Sequence, residues 1–553
     1  MNKITISYLS LLLLLSGMGN AFCQNPKEEK KEVVVEREYE PIIQKSDRIT
    51  LIPEFQDTVK VNLSFTYDIR SSIAQGQFSP RPIQAATLKS EPIYPLETSY
   101  ALIGGGNQLS AIAKIRVNST RNENYQWVFT GDFEGAQGKI QDTWGQNIDA
   151  PFRNIELGAI GKRLFKRSTL EGNLQYNNFY TTYYGTAVNP QMVSPEPAET
   201  DMHQNIHQFR SLFSFYSFER STEKPNHSTT FEFNHLQGIQ SVMEDKVNLS
   251  FYIDKYYDIN FLGMETKLLF IKNQNLTDTL NNVFIDFNPW IGFFGKTWRI
   301  QAGLNSTYNQ KNADYFLYPN IKLHYNIVAF FLVPYIEIGG RYKLNNYEQL
   351  VKENFFINPR LSVEPTNEKI NLNGGIRGMV SSRLGFNLNV SYQKIDNQYF
   401  FIPDTSSSLA RYFSVEYDNM SILSLNQELS WKQSDQLNII IRAKYSDYTM
   451  DSLPYPWHMP KFSTDLTARY RIFNKLTISG EVYALGIRYV KKVDNSSASM
   501  SPFVNVNLLG EYNLNRIFGF FLKVNNLLNR QQEIFDNYPL YRFMIQGGAK
   551  ITF

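Results

Sequence analysis

From about residue 99 onward, apolar and polar side chains alternate along a long series of short segments. The alternation is clear in residues 437–446, where two sets of side chains face opposite ways: Leu437, Ile439, Ile441, Ala443 and Tyr445 on one face, and Asn438, Ile440, Arg442, Lys444 and Ser446 on the other. Residues two apart on a β-strand share a face, so this period predicts strands with one apolar side. About 22 such segments follow one another.

The final segment has the same pattern and ends on an aromatic residue. Its apolar face consists of Tyr541, Phe543, Ile545, Gly547, Ala549, Ile551 and Phe553. Every backbone polar group in hydrocarbon needs an internal partner, so only helices and closed barrels span a bilayer. Beyond the first residues no apolar run reaches the ~18 residues of a membrane helix. We therefore predict an all-β fold, a transmembrane antiparallel β-barrel of about 22 strands, with Tyr541, Phe543 and Phe553 on its closing strand.

Connection lengths support this topology. Tight turns occur near Lys166-Arg167, Lys296, Asn474 and Asn513 to Asn515. Longer connections are predicted at Gly135–Pro151, Tyr184–His203, Leu344–Glu368, Asn397–Arg411, Met450–Met459, Val493–Met500 and Asn529–Tyr538. In outer-membrane barrels the short turns are periplasmic and the long loops extracellular, and an even strand number places both ends of the barrel in the periplasm.

Three regions follow from composition along the chain. Residues 1–23 have the features of a signal peptide, with Lys3, an apolar run from Tyr8 to Leu15 and a cleavage region near Cys23. A lipid-modified Cys23 is the alternative, although the bulky Phe22 disfavours it. Residues 24–97 are charged at the start and rich in proline, so we expect an extended segment in the periplasm or the lumen. Residues 98–553 form the predicted barrel.

The amino-acid composition indicates which kinds of molecule the protein contacts. The chain contains 34 Tyr, 40 Phe and 6 Trp, enough for the two aromatic girdles of a membrane barrel. The formal net charge is +3, which gives no indication of a nucleic-acid partner. We therefore expect contact with outer-membrane lipids and lipopolysaccharide, and insertion by the barrel-assembly machinery.

The end of the sequence resembles the last hairpin of TonB-dependent receptors. The resemblance lies in Lys523-Val524-Asn525-Asn526-Leu527-Leu528-Asn529-Arg530, in Tyr538-Pro539 and in the terminal Phe553. It implies a bacterial outer-membrane location and solute transport through a receptor-like or porin-like channel. The segment before the barrel is roughly half the length of a receptor plug, so the chain is more similar to plugless barrels of the Bacteroidota. The alternative function is a non-transporting barrel that docks lipoproteins or other subunits of an outer-membrane assembly or secretion complex.

No catalytic motif is present, so we expect neither enzymatic activity nor a cofactor. His203 and His207 have a spacing that binds zinc on a helix. On a strand the same spacing separates the two residues by about 13 Å, at ~3.3 Å per residue. With no third ligand evident, we predict no metal site.

Charged residues on the predicted inward faces are the candidate functional residues. They are Lys114, Arg116, Glu265, Lys267, Arg442, Lys444, Asp465, Arg469 and Arg471. In a wide lumen such charges tune solute selectivity. The alternative is that they form salt bridges that hold the wall together and hydrate the lumen.

Overall fold

The computed structural model describes residues 99–119, 122, 124–189, 203–217, 223–240, 242–257, 260–274, 279–328, 331–406, 409–434, 436–473 and 475–553. The predicted signal peptide, residues 1–23, and the predicted extended segment, residues 24–97, lie outside the described residues. The account below therefore concerns the predicted barrel region.

Twenty-two strands form one antiparallel sheet. They are β1 (Tyr100–Gly106), β2 (Ala111–Asn118), β3 (Tyr125–Ala136), β6 (Phe152–Leu164), β7 (Ser168–Thr182), β8 (His203–Ser217), β9 (Asn226–Gln237), β10 (Met243–Tyr257), β11 (Asn260–Gln274), β12 (Thr279–Phe294), β13 (Trp298–Asn309), β14 (Asp314–Tyr325), β15 (Val333–Lys343), β16 (Thr366–Ser381), β17 (Leu384–Pro403), β18 (Phe413–Lys432), β19 (Leu437–Met450), β20 (Phe462–Ile472), β21 (Leu476–Leu485), β24 (Phe503–Asn513), β25 (Phe518–Asn525) and β26 (Met544–Thr552).

The remaining elements lie in the connections. Two small hairpins pair β4 (Lys139–Gln141) with β5 (Asn147–Asp149), and β22 (Arg488–Lys491) with β23 (Ser497–Met500). A short helix, α1 (Tyr347–Glu353), lies between β15 and β16. Across the part of the chain that the structure describes, no helix has the length and apolar character needed to cross a membrane.

The sheet closes on itself because its first and last strands pair. β1 runs antiparallel to β26, with Tyr100 opposite Thr552 and Gly106 opposite Gln546. The amide of Phe553 donates to the carbonyl of Ser99 at 2.8 Å and extends this seam to the last residue. The predicted all-β barrel of about 22 strands is thus confirmed.

Glycines line the seam. Gly104 faces Gly548, and Gly105 faces Gly547. A Cβ atom on Gly104 would lie 2.6 Å from the Phe521 ring and 2.7 Å from the Gly547 carbonyl oxygen, so side chains are excluded here. These glycines end β1 and allow close approach of β26.

The two faces of each strand differ as the alternation predicts. In β19, Ile440 and Ser446 are buried on the inner face, whereas Tyr445 is half exposed on the outer face. Exposed apolar side chains such as Phe213, Leu249 and Leu425 continue this outer face around the barrel. Such an apolar outer face suits contact with lipid.

Successive strands run in opposite directions, so connections alternate between the two ends of the barrel. All the predicted long loops lie at the end remote from Ser99 and Phe553, which we name the loop end. The predicted tight turns lie at the opposite end, the turn end. Some connections at the loop end are nevertheless short turns, including residues 107–110 and 310–313.

Candidate functional site

A hydrophobic cluster, here named the mouth cluster, lies inside the barrel at the loop end. It joins inward side chains of several strands to residues of the long connections. Its members are Phe179, Tyr183, Ile206, Leu236, Val242, Tyr347, Leu350, Val351, Phe355, Phe356, Ile357, Tyr399, Phe401, Tyr412, Phe413, Leu485, Phe503, Ile534, Phe535 and Tyr538. Because these strands are distributed around the wall, the cluster spans the mouth rather than lining one side of it.

Two connections, residues 344–365 and 526–543, meet within the mouth cluster. Phe356 of the first is 1% exposed and stacks on Tyr538 of the second, with ring centroids 3.6 Å apart. Phe355 packs on Phe179 of β7 at 3.8 Å. Buried aromatic side chains contribute large apolar areas to a core, and their pairing adds further stabilisation. These loops therefore pack like a protein interior.

The helix α1 begins at a cap supplied by its own sequence and by the barrel wall. Asn346 is the N-cap, and its side-chain oxygen accepts from the amide of Gln349. The Glu244 carboxylate of β10 accepts from the Tyr347 amide at 2.7 Å and from the Glu348 amide at 3.2 Å. The first amides of a helix have no partner within the helix, and a carboxylate there satisfies them and favours the helix dipole. The wall thus positions the start of α1.

The Glu348 carboxylate then fastens α1 to three strands. It accepts from Arg210 of β8 at 2.6 Å, from Lys246 of β10 at 2.9 Å and from Lys352 of the helix at 2.6 Å. Gln208 and Asn234 donate at 2.7 Å and 3.1 Å. The Glu348 side chain is only 5% exposed. We name this set the Glu348 latch.

The charge environment keeps the latch ionised. Burial alone would raise the pKa of Glu348, but the ammonium groups of Lys352 and Lys246 and the guanidinium of Arg210 outweigh it. They hold the pKa of this carboxyl well below its ordinary value. The latch therefore stays charged at neutral and moderately acidic pH.

The second connection, residues 526–543, is held by hydrogen bonds from neighbouring loops. Arg488 of the β22–β23 hairpin donates to the carbonyls of Ile534 at 2.5 Å and Glu533 at 2.8 Å. The Tyr541 hydroxyl donates to the Ala150 carbonyl at 2.6 Å, next to the β4–β5 hairpin. Several connections thus form one folded unit over the mouth.

Glu533 and His458 are among the titratable side chains of this unit whose pKa departs from the ordinary value. Burial, assisted by the nearby Asp536 carboxylate, raises the pKa of Glu533 to about 7. Burial and the Arg488 guanidinium lower the pKa of His458 to about 3. The charge of Glu533 therefore changes near neutral pH.

The lumen charges predicted from the sequence lie apart from the latch. Lys114 pairs with Asp132 at 3.3 Å, and Glu265 pairs with Lys267 at 2.9 Å. Arg442 contacts Glu428 at 3.3 Å and Asp465 at 3.1 Å. Arg116 donates to Asn118 at 3.2 Å. The structure thus brings together two pairs of predicted residues, Glu265 with Lys267 and Arg442 with Asp465, at separate places on the wall.

The other predicted residues occupy strand positions without joining these pairs. Lys444 lies opposite Asn426 and Ser463, while Arg469 and Arg471 lie toward the turn after β20. Tyr541 and Phe543 precede β26, which begins at Met544, so only Phe553 of the predicted aromatic set extends the closing strand. The Tyr541 hydroxyl contacts the Gly138 and Ala150 carbonyls, which flank the β4–β5 hairpin.

Sequence analysis missed the Glu348 latch. Arg210 and Lys246 lie on inward faces by the same alternation that selected the other charges, so they could have been included. Glu348 lies in a long connection where no period-two pattern exists, and the only local signal is the cap at Asn346. Nothing in the sequence reveals that these distant residues meet.

The described part of the chain also contains an amide-rich stretch of inner wall. Asn320 donates to Asn305 at 2.9 Å, and Asn426 donates to Asn389 at 3.0 Å. In this same part of the chain, no group of three or more His, Cys, Asp or Glu side chains is arranged to hold a metal ion. The lumen that the structure describes is thus polar below the mouth cluster.

Comparison with known proteins shows similarity in fold. No protein-family model matches the sequence, and no curated protein is significantly similar to it. Solved structures do match. The pyoverdine receptor FpvA of Pseudomonas aeruginosa, bound to pyoverdine, superposes with a TM-score of 0.62 at 10% identity, over 83% of this chain and 79% of that one.

Two further structures give the same result. The FrpB iron transporter of Neisseria meningitidis has a TM-score of 0.62 at 10% identity, over 83% of this chain and 82% of that one. The ferric-catecholate import receptor Fiu of E. coli has a TM-score of 0.59 at 10% identity, over 83% and 82%. These neighbours are TonB-dependent receptors, and the chain shares their 22-stranded barrel fold.

Proposed function

We propose that the protein is an outer-membrane transport barrel whose extracellular mouth is closed by its own loops. The closed barrel, the apolar outer face and the separation of long loops from tight turns support the location. On this assignment the loop end is extracellular and the turn end is periplasmic. The barrel shared with receptors and transporters supports transport rather than catalysis.

The mouth cluster is the observation that carries the gated mechanism. A permanently open pore needs a hydrated path at both ends, whereas here aromatic side chains pack across one end. Solute passage therefore requires that residues 344–365 and 526–543 separate. The Glu348 latch and the Phe356–Tyr538 stack are the contacts that must be released.

The periplasmic side is assigned to residues 24–97. A barrel of about 22 strands encloses a lumen wide enough to need filling. We propose that this segment fulfils that role in place of a longer plug, as in the plugless barrels that the sequence resembles. Its charged start then remains in the periplasm, available to add as a strand to the sheet edge of a partner.

Single-channel recording in planar bilayers tests this mechanism. The mature wild-type chain should conduct little, because both ends of the lumen are occupied. A Phe356→Ala/Glu348→Gln variant lacking residues 24–97 should show large, long-lived openings. The matched control is a Phe473→Ala/Asp447→Asn variant with the same truncation, since both of these side chains are exposed. Equal conductance in the two truncated variants would refute gating by the mouth cluster.

The closed mouth also fits a second candidate, a barrel subunit of an outer-membrane assembly or secretion complex that docks lipoproteins. Such a barrel needs no solute path, and its folded loops would serve as a docking surface. Purification in mild detergent separates the candidates. A stoichiometric partner together with silent bilayers for the truncated latch variant would favour the complex.

A further inference from the structure

A pocket with both polar and apolar lining lies on the outside of the barrel, at the loop end of strands β7, β8 and β9. Its lining includes Tyr176, His203, Asn205, His207, Phe209, His235, Gln237 and Ile239. The strand residues among them face away from the lumen, because the alternate residues Gln204, Gln208 and Asn234 point inward to α1 and the Glu348 latch. Ile239 also packs against the mouth cluster, so the pocket borders that cluster.

Hydrogen bonds hold the floor of this pocket in place. The buried Asn178 amide donates to Asn205 at 2.8 Å, and its oxygen accepts from Arg153 at 3.0 Å. The Tyr176 hydroxyl contacts the Nδ1 atom of His207 at 2.8 Å. These contacts fix the orientation of amide, guanidinium and imidazole groups before any ligand arrives, and such preorganisation favours binding.

Aromatic faces lie among the polar groups. The His203 ring packs beside Tyr180 at 5.6 Å, and the Arg153 guanidinium lies 5.5 Å from the centre of the same Tyr180 ring. His235 contacts the Asp245 carboxylate of β10 at 2.6 Å, which orients its ring. The pocket and its immediate surroundings thus combine flat apolar surfaces with amide and imidazole donors and acceptors.

The position of the pocket relative to the apolar belt identifies its surroundings. Directly toward the turn end the same outer face carries exposed apolar side chains, including Phe209, Phe213, Phe231 and Leu249. On a membrane barrel such a belt faces hydrocarbon, and the next residues outward meet the headgroup layer. The pocket therefore lies at the level of the polar headgroups of the outer leaflet.

We propose that this pocket binds a saccharide, of the kind that forms the headgroup of lipopolysaccharide. A sugar ring has an apolar C–H face that packs on aromatic rings, and hydroxyls that bond to amide and imidazole groups. Arg153 would accommodate an anionic substituent on the sugar. This inference rests on the outer-membrane location proposed above, and the glycan could come from lipopolysaccharide itself or from a soluble polymer.

Titration of the purified full mature protein in detergent tests the proposal. The two probes are lipopolysaccharide with a short glycan and the free core oligosaccharide released from it, with complexes counted by native mass spectrometry. Tyr176→Ala and His207→Ala should each weaken binding about tenfold, since each removes a preorganised contact. The matched control is Tyr315→Ala, which removes an exposed outward aromatic at the loop end of β14.

The outcomes separate the ligand sources and the location. Selective loss with lipopolysaccharide alone shows that recognition needs the lipid-linked form, and equal loss with the free oligosaccharide shows that the saccharide alone is recognised. Equal binding by the wild type, His207→Ala and Tyr315→Ala proteins would overturn the proposal, as would no binding by the wild type. Should an alanine variant lose its folded band on unheated gels, Tyr176→Phe keeps the ring and should lose only part of the affinity. Fractionation of the cells reports separately on the membrane location.

Discussion

Two stretches of the inner wall carry similar charges and yet differ in their surroundings. On β8–β10, Arg210 pairs with Glu232 at 3.5 Å beneath α1. On β18–β20, Arg442 pairs with Glu428 at 3.3 Å and has no helix above it. The Arg442 side chain is 48% exposed, whereas Glu348, which covers Arg210, is 5% exposed.

The difference shows that an inward charge becomes part of a defined site only when a loop covers it. Exposed ion pairs contribute little because water screens them and side-chain entropy opposes them. Covered charges must be paired, and removal of one partner leaves the others desolvated. The β8–β10 wall thus contributes to the Glu348 latch, while the Arg442 ion pairs of the β18–β20 wall remain exposed.

Phe356→Ala should have the largest effect on the covered β8–β10 wall, because it removes the ring that anchors residues 344–365 in the mouth cluster. Truncation of a buried Phe costs about 3–5 kcal/mol, and here the cost falls on docking of the loop. Hydrogen exchange should show faster exchange in α1 with barrel amides unchanged. Phe473→Ala, at a ring that is 89% exposed, is the control and should leave α1 protected.

Glu348→Gln tests the electrostatic contribution to the docking of residues 344–365. The amide keeps the shape of the carboxyl but leaves Arg210, Lys246 and Lys352 without their shared anion. We expect about 3 kcal/mol of lost docking free energy. Exchange of the amides of α1 measures it, with Asp447→Asn as the control at an exposed ion pair. Unchanged protection in Glu348→Gln would show that apolar packing alone holds the loop.

The stability of residues 526–543 should depend on pH. The pKa of Glu533 is raised to about 7, so the folded loop retains a proton that the unfolded loop releases above its ordinary pKa of 4.5. The resulting stabilisation is complete below about pH 4.5 and is lost as pH rises through about 7. Residues 526–543 should therefore be cleaved several times faster by protease at pH 8 than at pH 6.

Glu533→Gln supplies the control for this measurement, because its amide does not titrate. The ratio of wild-type to variant cleavage at each pH cancels the pH dependence of the protease. A ratio that stays constant between pH 6 and pH 8 would contradict the prediction.

Arg442→Gln should have the smallest effect on stability, and it tests the exposed wall of the comparison, β18–β20. Its ion pairs are half exposed, so we expect a cost below about 1 kcal/mol. The matched Arg210→Gln change should cost more, because the buried Glu348 carboxylate would lose one of its partners. Chemical unfolding of the two variants in parallel measures the difference, and equal midpoints would remove the distinction between the walls.

The sequence was sufficient to predict the barrel because every strand repeats the same simple rule. Alternation in residues 437–446, for example, assigns Ile440 and Ser446 to the inside without knowledge of any partner. The mouth cluster obeys no such rule. Phe356 and Tyr538 are about a third of the chain apart in sequence. Their contact depends on how two irregular loops fold.

The predicted charges illustrate the same boundary. Arg442 and Asp465 lie on neighbouring strands, so register brings them together. Glu348 lies on a helix whose position depends on Glu244, Gln208 and Asn234, which belong to strands far away in sequence. The alternation of apolar and polar residues identifies the face of the strand on which a side chain lies. Whether a loop covers that side chain depends on the whole fold.

The glycine seam between β1 and β26 has a consequence for how the barrel is completed. Gly104 and Gly105 meet Gly548 and Gly547 without intervening side chains, and the ring of Phe521 covers Gly104 and Gly548 from inside. The first four residue pairs of the seam, from Tyr100–Thr552 to Ile103–Ala549, do carry side chains. At the two glycine pairs, by contrast, the strands are joined through the main chain alone. Closure of this part of the seam therefore requires no side-chain packing between β1 and β26.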